Sequence, residues 1–361
     1  MTTRTEILDV AGALSLGLGP VALAVDVGGT GLKAGLFDSD GALVDARTAS
    51  TPAAASAGVA PEPAIAGSAP VPDSEGTAGG RAPEGTADVH APEEAIVDAV
   101  VALRDDLAEA HPELPVATAA VVVPGIVEEA TGTAVYSANL GWRDVPMADL
   151  LARSLGCEVV FGHDVRAAGR AEFEFAASMP ADAALVTIGT GIAGAMQVEG
   201  RMVSSGGYAG ELGFLEVAVD IAEGRFKGPV ELIASAAAIA RRYAERSGRD
   251  AGGAREVLEA MRSGDAVAAE VFAEAADALG AMCAQLVTIT APSAIVLGGG
   301  LSGASELIPA VTAAMRTRLR FHREPEIHTA GLGSVAGLIG AGLLTRTGQL
   351  TRAGQLTRGQ R

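Results

Sequence analysis

The stretch VALAVDVGGTGLKAGLF, residues 21–37, decides the fold of this chain. It opens with an apolar run, residues 21–25, and passes through Asp26 into the turn Gly28-Gly29-Thr30-Gly31 before a second apolar run, residues 33–37. Two apolar runs joined by such a turn predict a β-hairpin. The glycines of the turn can take positive φ and let the backbone come close to a ligand.

The hairpin also carries the residues of an anion site. Backbone N–H groups around the glycines can form a concave nest for a phosphate, and Asp26 ends the first strand beside it. A carboxylate next to a bound phosphate needs a cation between them, so we expect Mg²⁺ near Asp26, held through water. An ordinary glycine-rich hairpin is the alternative. The spacing differs from that of a P-loop and from that of a dinucleotide-binding fingerprint, so neither is predicted.

Length and composition indicate a two-domain protein with a large aliphatic core. The chain has 361 residues, of which 49% are apolar and only 3% aromatic, so the core must consist mainly of Ala, Val, Leu and Ile. The net charge of −18 argues against a nucleic acid or an anionic membrane as partner. The two cysteines, Cys157 and Cys283, lie far apart in apolar surroundings, which predicts buried thiols and neither a disulfide framework nor a metal cluster.

Three segments bear on location and order. Residues 1–20 carry several charges and lack a continuous apolar core, so they are not expected to form a signal peptide. No apolar run is long enough to span a bilayer, which predicts a soluble, cytoplasmic protein. The segment 52–92 has almost no large apolar residue and is predicted to be a disordered surface insertion. The polar repeats of the tail, 345–361, predict a disordered basic extension.

Two more glycine loops follow predicted strands. Gly189-Thr190-Gly191 comes after a strand at 183–188, and Gly298-Gly299-Gly300 comes after a strand at 294–297 and before a helix. Strands and helices alternate, with a hairpin at the start of each half, as in α/β proteins. Three such loops are explained if two lobes close over a nucleotide, with the first two loops on its phosphates and the third under adenosine.

Each of three acidic residues can be interpreted either as part of a functional site or as an ordinary structural or surface residue. Asp164 precedes a helix predicted at 165–177, and Asp is a favoured N-cap, so a helix cap is the alternative to a catalytic role. Glu211 lies among glycines, which favours a binding site over a charged surface loop. Glu231 lies in a helix predicted at 230–247, where a surface charge is the alternative.

The hairpin contains the pattern D-x-G-G-T-x-x-K, which resembles the first phosphate motif of the sugar kinase, Hsc70 and actin superfamily. Its residues are Asp26, Gly28, Gly29, Thr30 and Lys33. The rest of the chain resembles the ROK family (repressor, open reading frame, kinase), whose enzymes include ATP-dependent glucokinases. The matching segments are PGIV at 124–127, NLGW at 139–142, HD at 163–164, TIGTGI at 187–192, AGELG at 209–213, VLGGG at 296–300 and LIGA at 338–341.

The resemblance, which runs from 21 to 344 outside the insertion, implies a two-lobed actin-like ATPase fold (ribonuclease H-like) with the nucleotide in the cleft between the lobes. It implies a small lobe at 1–161, a large lobe at 162–333 and a helix at 334–344 that returns to the small lobe. The implied reaction is ATP-dependent phosphorylation of a hexose at its primary (6-) hydroxyl, with Asp164 as general base, ATP and Mg²⁺ as cofactors, and a homodimer as the assembly. The implied nucleotide and phosphate ligands are Asp26, Gly28, Gly29, Thr30, Lys33, Gly189, Thr190, Gly191, Gly298, Gly299 and Gly300.

The sugar half of the pattern departs from the family. The implied sugar-binding residues are Asn139, His163, Glu211, Phe214 and Glu231. His163 stands where the family has Asn, and Phe214 stands where it commonly has His. The segment 217–231 lacks the cysteines of the family's zinc motif, so no structural zinc is expected. An aminohexose or another modified sugar is therefore an alternative substrate, because an ammonium group would pair with the glutamates.

A non-catalytic sugar sensor is a further hypothesis. Repressor members of the family carry an N-terminal DNA-binding helix-turn-helix, whereas here only residues 1–20 precede the first predicted strand and the chain is strongly acidic. DNA binding is therefore not expected, and the presence of Asp164 favours an enzyme over a sensor.

Overall fold

The computed structural model describes residues 2–52 and 91–346. The predicted insertion at 52–92 and the predicted tail at 345–361 lie almost wholly outside these described residues. The fold is α/β, as the sequence predicted. The strands are β1 Ala22–Val27, β2 Gly31–Phe37, β3 Leu43–Ser50, β4 Thr118–Val123, β5 Ile126–Glu128, β6 Thr133–Ser137, β7 Trp142–Val145, β8 Glu158–His163, β9 Ala183–Ile188, β10 Ile192–Val198, β11 Arg201–Met202, β12 Glu216–Ile221, β13 Gly224–Pro229, β14 Ala294–Gly298 and β15 Glu326–Thr329. The α-helices are α1 Arg4–Ala11, α2 Pro92–Ala110, α3 Met147–Leu155, α4 Asp164–Phe175, α5 Glu231–Ala234, α6 Ala236–Ser247, α7 Ala254–Arg262, α8 Ala266–Thr290, α9 Leu307–Arg316 and α10 at 336–346.

The two large sheets have the same topology. The first has the order β3-β2-β1-β4-β8, and the second has the order β11-β10-β9-β14-β15. In each sheet the first three strands form an antiparallel meander, and the last two strands run parallel to the first strand of that meander. A smaller antiparallel sheet, β5-β6-β7, follows β4 in the chain. The repeated order is that of the two-lobed fold that the sequence predicted.

Strand β1 lies at the centre of the first sheet, buried along its whole length. Its side chains alternate between the two faces of the sheet. Leu23, Val25 and Val27 pack in a core with α2 and α3, whereas Ala24 packs in a core on the opposite face with α1, α4 and α10. Asp26 has the same parity as Ala24, so its carboxylate points to the face that α10 covers.

Helix α10 packs on the first sheet although it comes from the C-terminal part of the described chain. Leu338 and Ile339 belong to the core that covers Ala24. At the end of the helix the Arg346 guanidinium donates to the carbonyls of Pro20, at 2.6 Å, and Asp38, at 2.9 Å. These bonds join the end of α10 to the residues that precede β1 and follow β2.

Helix α4 lies between the two large sheets. Its residues Ala167 and Ala171 pack in the core of the first sheet, and Phe173 packs against the second sheet. A Cβ built on Gly169 would lie 2.5 Å from the Cβ of Ala195 in β10, so glycine is needed for this close approach. The N-terminus of α4, where Asp164 stands, therefore lies at the junction of the two halves.

Helices α5 to α9 cover the other face of the second sheet. The sequence analysis predicted one helix over 230–247, and this was wrong. Ser235 is extended, and its hydroxyl oxygen accepts a hydrogen bond from the N–H of Ala238 at 3.1 Å, so it starts α6 as an N-cap. The hairpin β12–β13 was not predicted, although buried Val217 and Val219 alternate there with exposed residues.

Among the described residues, no helix combines the length and the apolar character needed to cross a membrane. The longest, α8, is a core helix of the second half: most of its buried residues pack against β9, β14 and the neighbouring helices.

Candidate active site

The first glycine loop is a tight hairpin turn. The N–H of Gly28 donates to the carbonyl of Gly31 at 2.9 Å, and the hydroxyl of Thr51 donates to the carbonyl of Gly28 at 2.7 Å. Of the described atoms, none lies within 4 Å of the position that a Cβ would take on Gly29. A cavity of about 200 Å³ opens beside the loop, with Thr30 and Lys33 in its wall. The tip of the turn is therefore open to a ligand.

The reason that the sequence analysis gave for these glycines was wrong. Neither Gly28, Gly29 nor Gly31 has positive φ. What distinguishes this turn from an ordinary hairpin is the free space around Gly29 and not a left-handed backbone.

Asp26 and Lys33 face each other across the hairpin. They are direct partners in the β1–β2 register, and Lys33 Nζ lies 2.7 Å from Asp26 Oδ2. Asp26 is only 7% exposed, so the pairing offsets the cost of burying its charge. A Cβ built on Gly337 of α10 would lie 2.8 Å from Asp26 Cγ, so glycine is required where the helix meets the carboxylate. Asp26 is thus fixed between β2 and α10.

Asp164 is the first residue of α4, directly after β8. The cap of the helix is His163, whose Nδ1 accepts the N–H of Arg166 at 3.2 Å, so the alternative that Asp164 is the N-cap was wrong. Burial and the nearby charge of Asp26 raise the pKa of Asp164 to about 7. The charges of Arg166 and Lys33 oppose this shift. Asp26, Lys33 and Asp164 therefore share one electrostatic environment.

The second glycine loop also closes a hairpin, but it is one residue shorter than the first. The N–H of Gly189 donates to the carbonyl of Gly191 at 2.9 Å, and the carbonyl of Gly189 accepts the N–H of Ala236 at 2.8 Å. Within the described chain, no atom comes within 4 Å of a Cβ built on Gly189. Glu231 Oε2 accepts the N–H of Ile192 at 2.7 Å and so braces the loop from α5.

The third glycine loop lies against the strand that leads to the second loop. Gly298 is the register partner of Thr187. Gly299 has φ +91°, and a Cβ there would lie 2.2 Å from the carbonyl oxygen of Ile188. The hydroxyl of Ser302 closes the turn by donating to the carbonyl of Gly299 at 2.8 Å. The structure therefore brings the second and third loops together.

Two glutamates form an acidic group next to the second loop. Burial and then the charge of Glu231 raise the pKa of Glu211, and the charge of Arg166 lowers it. Glu231 is also close to the loop that carries Glu211, because a Cβ on Gly213 would lie 2.9 Å from Glu231 Oε2. Since Arg166 acts on both Asp164 and Glu211, these carboxylates lie around one buried cation.

Arg166 is a site residue that the sequence analysis missed. It is only 4% exposed, and its guanidinium donates to Glu129 Oε1 at 2.9 Å, to the carbonyl of Val127 at 2.9 Å and to the carbonyl of Gly207 at 3.2 Å. These bonds join strand β5 to the glycine loop that leads to Glu211. The sequence offers one weak signal, an arginine two residues after Asp164 in a run of small residues.

The remaining residues predicted for the sugar site differ from one another in exposure: two are exposed and one is buried. Asn139 is exposed in the turn between β6 and β7, and Phe214, at 63% exposure, ends a short 3₁₀ turn. Within the described part of the chain, no hydrogen bond holds either side chain against the Asp26–Asp164 pair. His163 is buried, at 5% exposure, with one ring nitrogen engaged in the helix cap.

The donor set fits Mg²⁺ held through water. In the described ranges, no group of three or more His, Cys, Asp or Glu side chains converges as a metal cage. Mg²⁺ usually keeps several waters and takes one or two protein carboxylates together with substrate phosphates. Asp26, next to the open turn at Gly29 and within electrostatic reach of Asp164, has this character. The segment predicted to lack zinc forms the hairpin β12–β13, and the absence of zinc stays a prediction.

Comparison with known proteins shows which family and which relatives the chain is similar to. The family model described as "ROK family" matches residues 83–347. A glucokinase from Halalkalibacterium halodurans is 31% identical over 248 residues, which cover 61% of this chain and 73% of that protein. The bifunctional enzyme NanE/NanK of Brucella melitensis is 33% identical over 203 residues, which cover 55% of this chain but only 37% of that longer relative.

Solved structures give the same result. A ROK family glucokinase from Streptomyces griseus, determined with glucose and AMPPNP, superimposes with a TM-score of 0.67 and 26% identity over 91% of this chain and 99% of that one. The fold is thus the two-lobed actin-like ATPase fold of sugar kinases, and these relatives support a sugar kinase that uses ATP. The chain belongs to the ROK family.

Proposed function

We propose that this protein transfers the γ-phosphoryl group of ATP to the primary (6-) hydroxyl of a hexose. One observation carries the proposal. Asp164 at the start of α4 and Asp26 in β1 lie so close that the charge of Asp26 helps to raise the pKa of Asp164 to about 7. A carboxylate with a pKa near the working pH, beside an open glycine turn, is suited to general base catalysis next to a phosphate.

In the proposed reaction the sugar hydroxyl gives its proton to the Asp164 carboxylate while its oxygen attacks the γ-phosphorus. The bond from that phosphorus to the β–γ bridging oxygen breaks, and ADP leaves. Phosphoryl transfer depends on alignment and charge neutralisation more than on covalent help. Mg²⁺ near Asp26, when bound, supplies neutralising charge to the phosphates.

The three glycine loops hold the nucleotide in this proposal. The turns around Gly29 and Thr190 offer backbone N–H groups to the phosphates, and Lys33 adds a positive charge. Adenosine lies against the backbone of the loop 298–300. The proximity of that loop to Ile188 supports this arrangement, because the adenosine and phosphate sites must be adjacent.

Asn139, Glu211 and Glu231 bind sugar hydroxyls in this proposal, since hydroxyl donors suit carboxylate and amide acceptors. An aminohexose is the second candidate substrate. It is favoured by one observation: Glu211 and Glu231 repel each other enough to help raise the pKa of Glu211, and an ammonium group would offset that repulsion. A sugar sensor without catalysis is the third candidate.

A coupled ADP-release assay across hexoses and aminohexoses tests the proposal. We expect Asp164→Asn to lower kcat by about 10²–10⁴-fold, the usual contribution of a general base. Sugar binding, followed by calorimetry, should persist in that variant. Asp105→Asn is the matched control, because the Asp105 side chain is 62% exposed on α2.

The outcomes separate the three candidates. Glucose as a far better substrate than every aminohexose rejects the second candidate. Sugar binding without ADP release from any sugar supports the sensor and rejects the kinase.

A further inference from the structure

The Glu211 loop, residues 204–214, is held by two different sheets. At Gly207 it lies against strand β5 of the small sheet, where a Cβ built on the glycine would lie 2.3 Å from the carbonyl oxygen of Val127. At Gly210 it lies against the second large sheet, because the carbonyl of Gly210 accepts a backbone N–H of β10 at 2.7 Å. Glu211 follows directly, so its place depends on both contacts.

The small sheet β5-β6-β7 carries another residue of the proposed sugar site. Asn139 lies in the turn between β6 and β7, and β5 pairs with β6. The contact of Gly207 with β5 therefore brings the sheet that bears Asn139 against the loop that bears Glu211. If both side chains bind one sugar, the spacing between this loop and this sheet sets the width of the site.

Arg166 lies at the junction of the loop and the sheet and uses all three of its guanidinium nitrogens there. Nε donates to Glu129 Oε1 at 2.9 Å, Nη1 to the carbonyl of Gly207 at 3.2 Å and Nη2 to the carbonyl of Val127 at 2.9 Å. Because one rigid, planar cation donates to both carbonyls, it fixes the distance between the loop and β5. Arg166 also lies two residues after Asp164, so the junction is tied to the helix that begins with the proposed base.

We propose that Arg166 is a positioning residue, which holds the Glu211 loop at a fixed distance from the sheet of Asn139 and so shapes the sugar-binding site. The inference rests on the proposed function, because it requires Asn139 and Glu211 to bind the sugar. Arg166 acts through the two carbonyls that it joins, and the nucleotide sites lie on other loops.

Arg166→Gln tests the inference by removing the planar cation. The sugar probe is whichever of the hexoses and aminohexoses, among them glucose and glucosamine, has the highest kcat/KM in the ADP-release assay, and AMPPNP is the nucleotide probe. In calorimetry we expect the Kd for the sugar to rise about tenfold, because hydrogen bonds from a charged donor are lost. The Kd for AMPPNP should stay within about threefold, since no nucleotide loop loses a hydrogen bond.

Kinetics add a readout that a general loss of stability would not change. The KM for the sugar should rise about tenfold, while kcat at saturating sugar stays within about threefold. The assay is run at about pH 9, because loss of the Arg166 charge raises the pKa of Asp164 and a protonated base would lower kcat by itself.

Arg242→Gln is the matched control for the loss of a buried arginine. Arg242 is 9% exposed on α6 and pairs with Glu274 of α8, away from the Glu211 loop. This variant should lower Tm and leave the Kd for the sugar unchanged.

A second pair of variants leaves Arg166 in place and decides the question if Arg166→Gln does not fold. Gly207 and Gly206 both have positive φ, +97° and +67°, but only a Cβ on Gly207 would meet β5. Gly207→Ala should therefore push the loop away from the small sheet and raise the Kd for the sugar, whereas Gly206→Ala should raise it much less.

Specific results overturn the inference. A folded Arg166→Gln that binds the sugar as tightly as the wild type contradicts it and leaves the proposed function intact. Equal losses of sugar and AMPPNP affinity contradict it as well, and so do equal losses of sugar affinity in Gly206→Ala and Gly207→Ala. If no sugar releases ADP in the wild-type protein, the proposed function fails and the inference fails with it.

Discussion

The first and second glycine loops close hairpins in sheets of the same strand order, but the first turn is one residue longer than the second. In each, the N–H of the first glycine closes the hairpin: Gly28 donates to Gly31, and Gly189 donates to Gly191, both at 2.9 Å. In each, a later segment anchors the carbonyl of that glycine, by Thr51 in the first loop and by Ala236 in the second. The two turns therefore share the way in which they are anchored, although their lengths differ.

The side chains at equivalent positions differ. The first hairpin pairs Asp26 with Lys33. At the equivalent positions the second hairpin pairs Thr187 with Ala193, and the Thr187 hydroxyl donates to the Ala193 carbonyl at 3.1 Å. The first loop thus carries an ion pair and the second a neutral hydrogen bond. The comparison shows that the two hairpins share a strand order but that, at these equivalent positions, only the first carries charge.

The largest expected effect comes from removing that charge. Asp26→Asn should lower kcat by about 10²–10³-fold, because an electrostatic contribution at the transferring group is lost. Thr187→Val, the equivalent change in the second loop, should stay within about threefold, since its hydroxyl only satisfies a carbonyl. Steady-state kinetics with saturating ATP would measure both, and similar losses would contradict the asymmetry.

A smaller effect concerns stability, and it depends on pH. Because the native pKa of Asp164 is about 7 against a reference value of 3.8, the native state binds more protons between these values than the unfolded state. This group therefore makes the protein less stable as pH rises from about 4 to about 7. Asp164→Asn removes the effect, so the variant should exceed the wild type by a few kcal/mol at pH 8 and match it near pH 4.

Urea unfolding at both pH values would measure this difference. Part of the rise in the pKa of Asp164 comes from the charge of Asp26. Asp26→Asn should therefore reduce the pH dependence of the stability, whereas Thr187→Val should leave it unchanged. A wild-type protein that gains stability through this pH range relative to Asp164→Asn would contradict the assignment.

The smallest expected effect tests the open space that the first two glycine loops have in common. Gly29→Ala and Gly189→Ala each place a methyl group where no described atom lies within 4 Å, so Tm should hardly change. The methyl group would occupy the space assigned to phosphate, and KM for ATP should rise about tenfold in both, or about 1.4 kcal/mol. Gly303→Ala, which is equally open but outside both loops, is the control.

The sequence predicted many of the strands and helices and the three glycine loops, because periodicity and glycine turns are local signals, but it missed the hairpin β12–β13 and the break at Ser235. The strands around residues 26 and 189 follow from apolar runs that end in glycine. The exposed and buried states of single residues were harder to foresee. Nothing near Arg166 in the sequence indicates that its partners are the carbonyls of Val127 and Gly207, since tertiary packing alone brings them together.

Errors at helix starts have a common cause. Asp164 and Ser235 both belong to types that favour N-caps, yet only Ser235 caps a helix, because His163 takes that place in α4. Single-residue preference cannot decide between neighbours that are both able to accept an N–H. The assignment of His163 to the sugar was made from its position alone, and its ring orientation became visible only with the coordinates.

The contact of Gly337 with Asp26 makes the surroundings of Asp26 depend on a helix that is synthesised late. Strand β1, which bears Asp26, and the start of α4, which bears Asp164, leave the ribosome early, but the helix that closes over Asp26 is made only after both sheets. A nascent chain that stops before residue 336 would contain all three glycine loops and yet leave the Asp26–Lys33 pair uncovered by α10. Burial of the Asp26–Lys33 pair is therefore expected to wait until this late helix has been made.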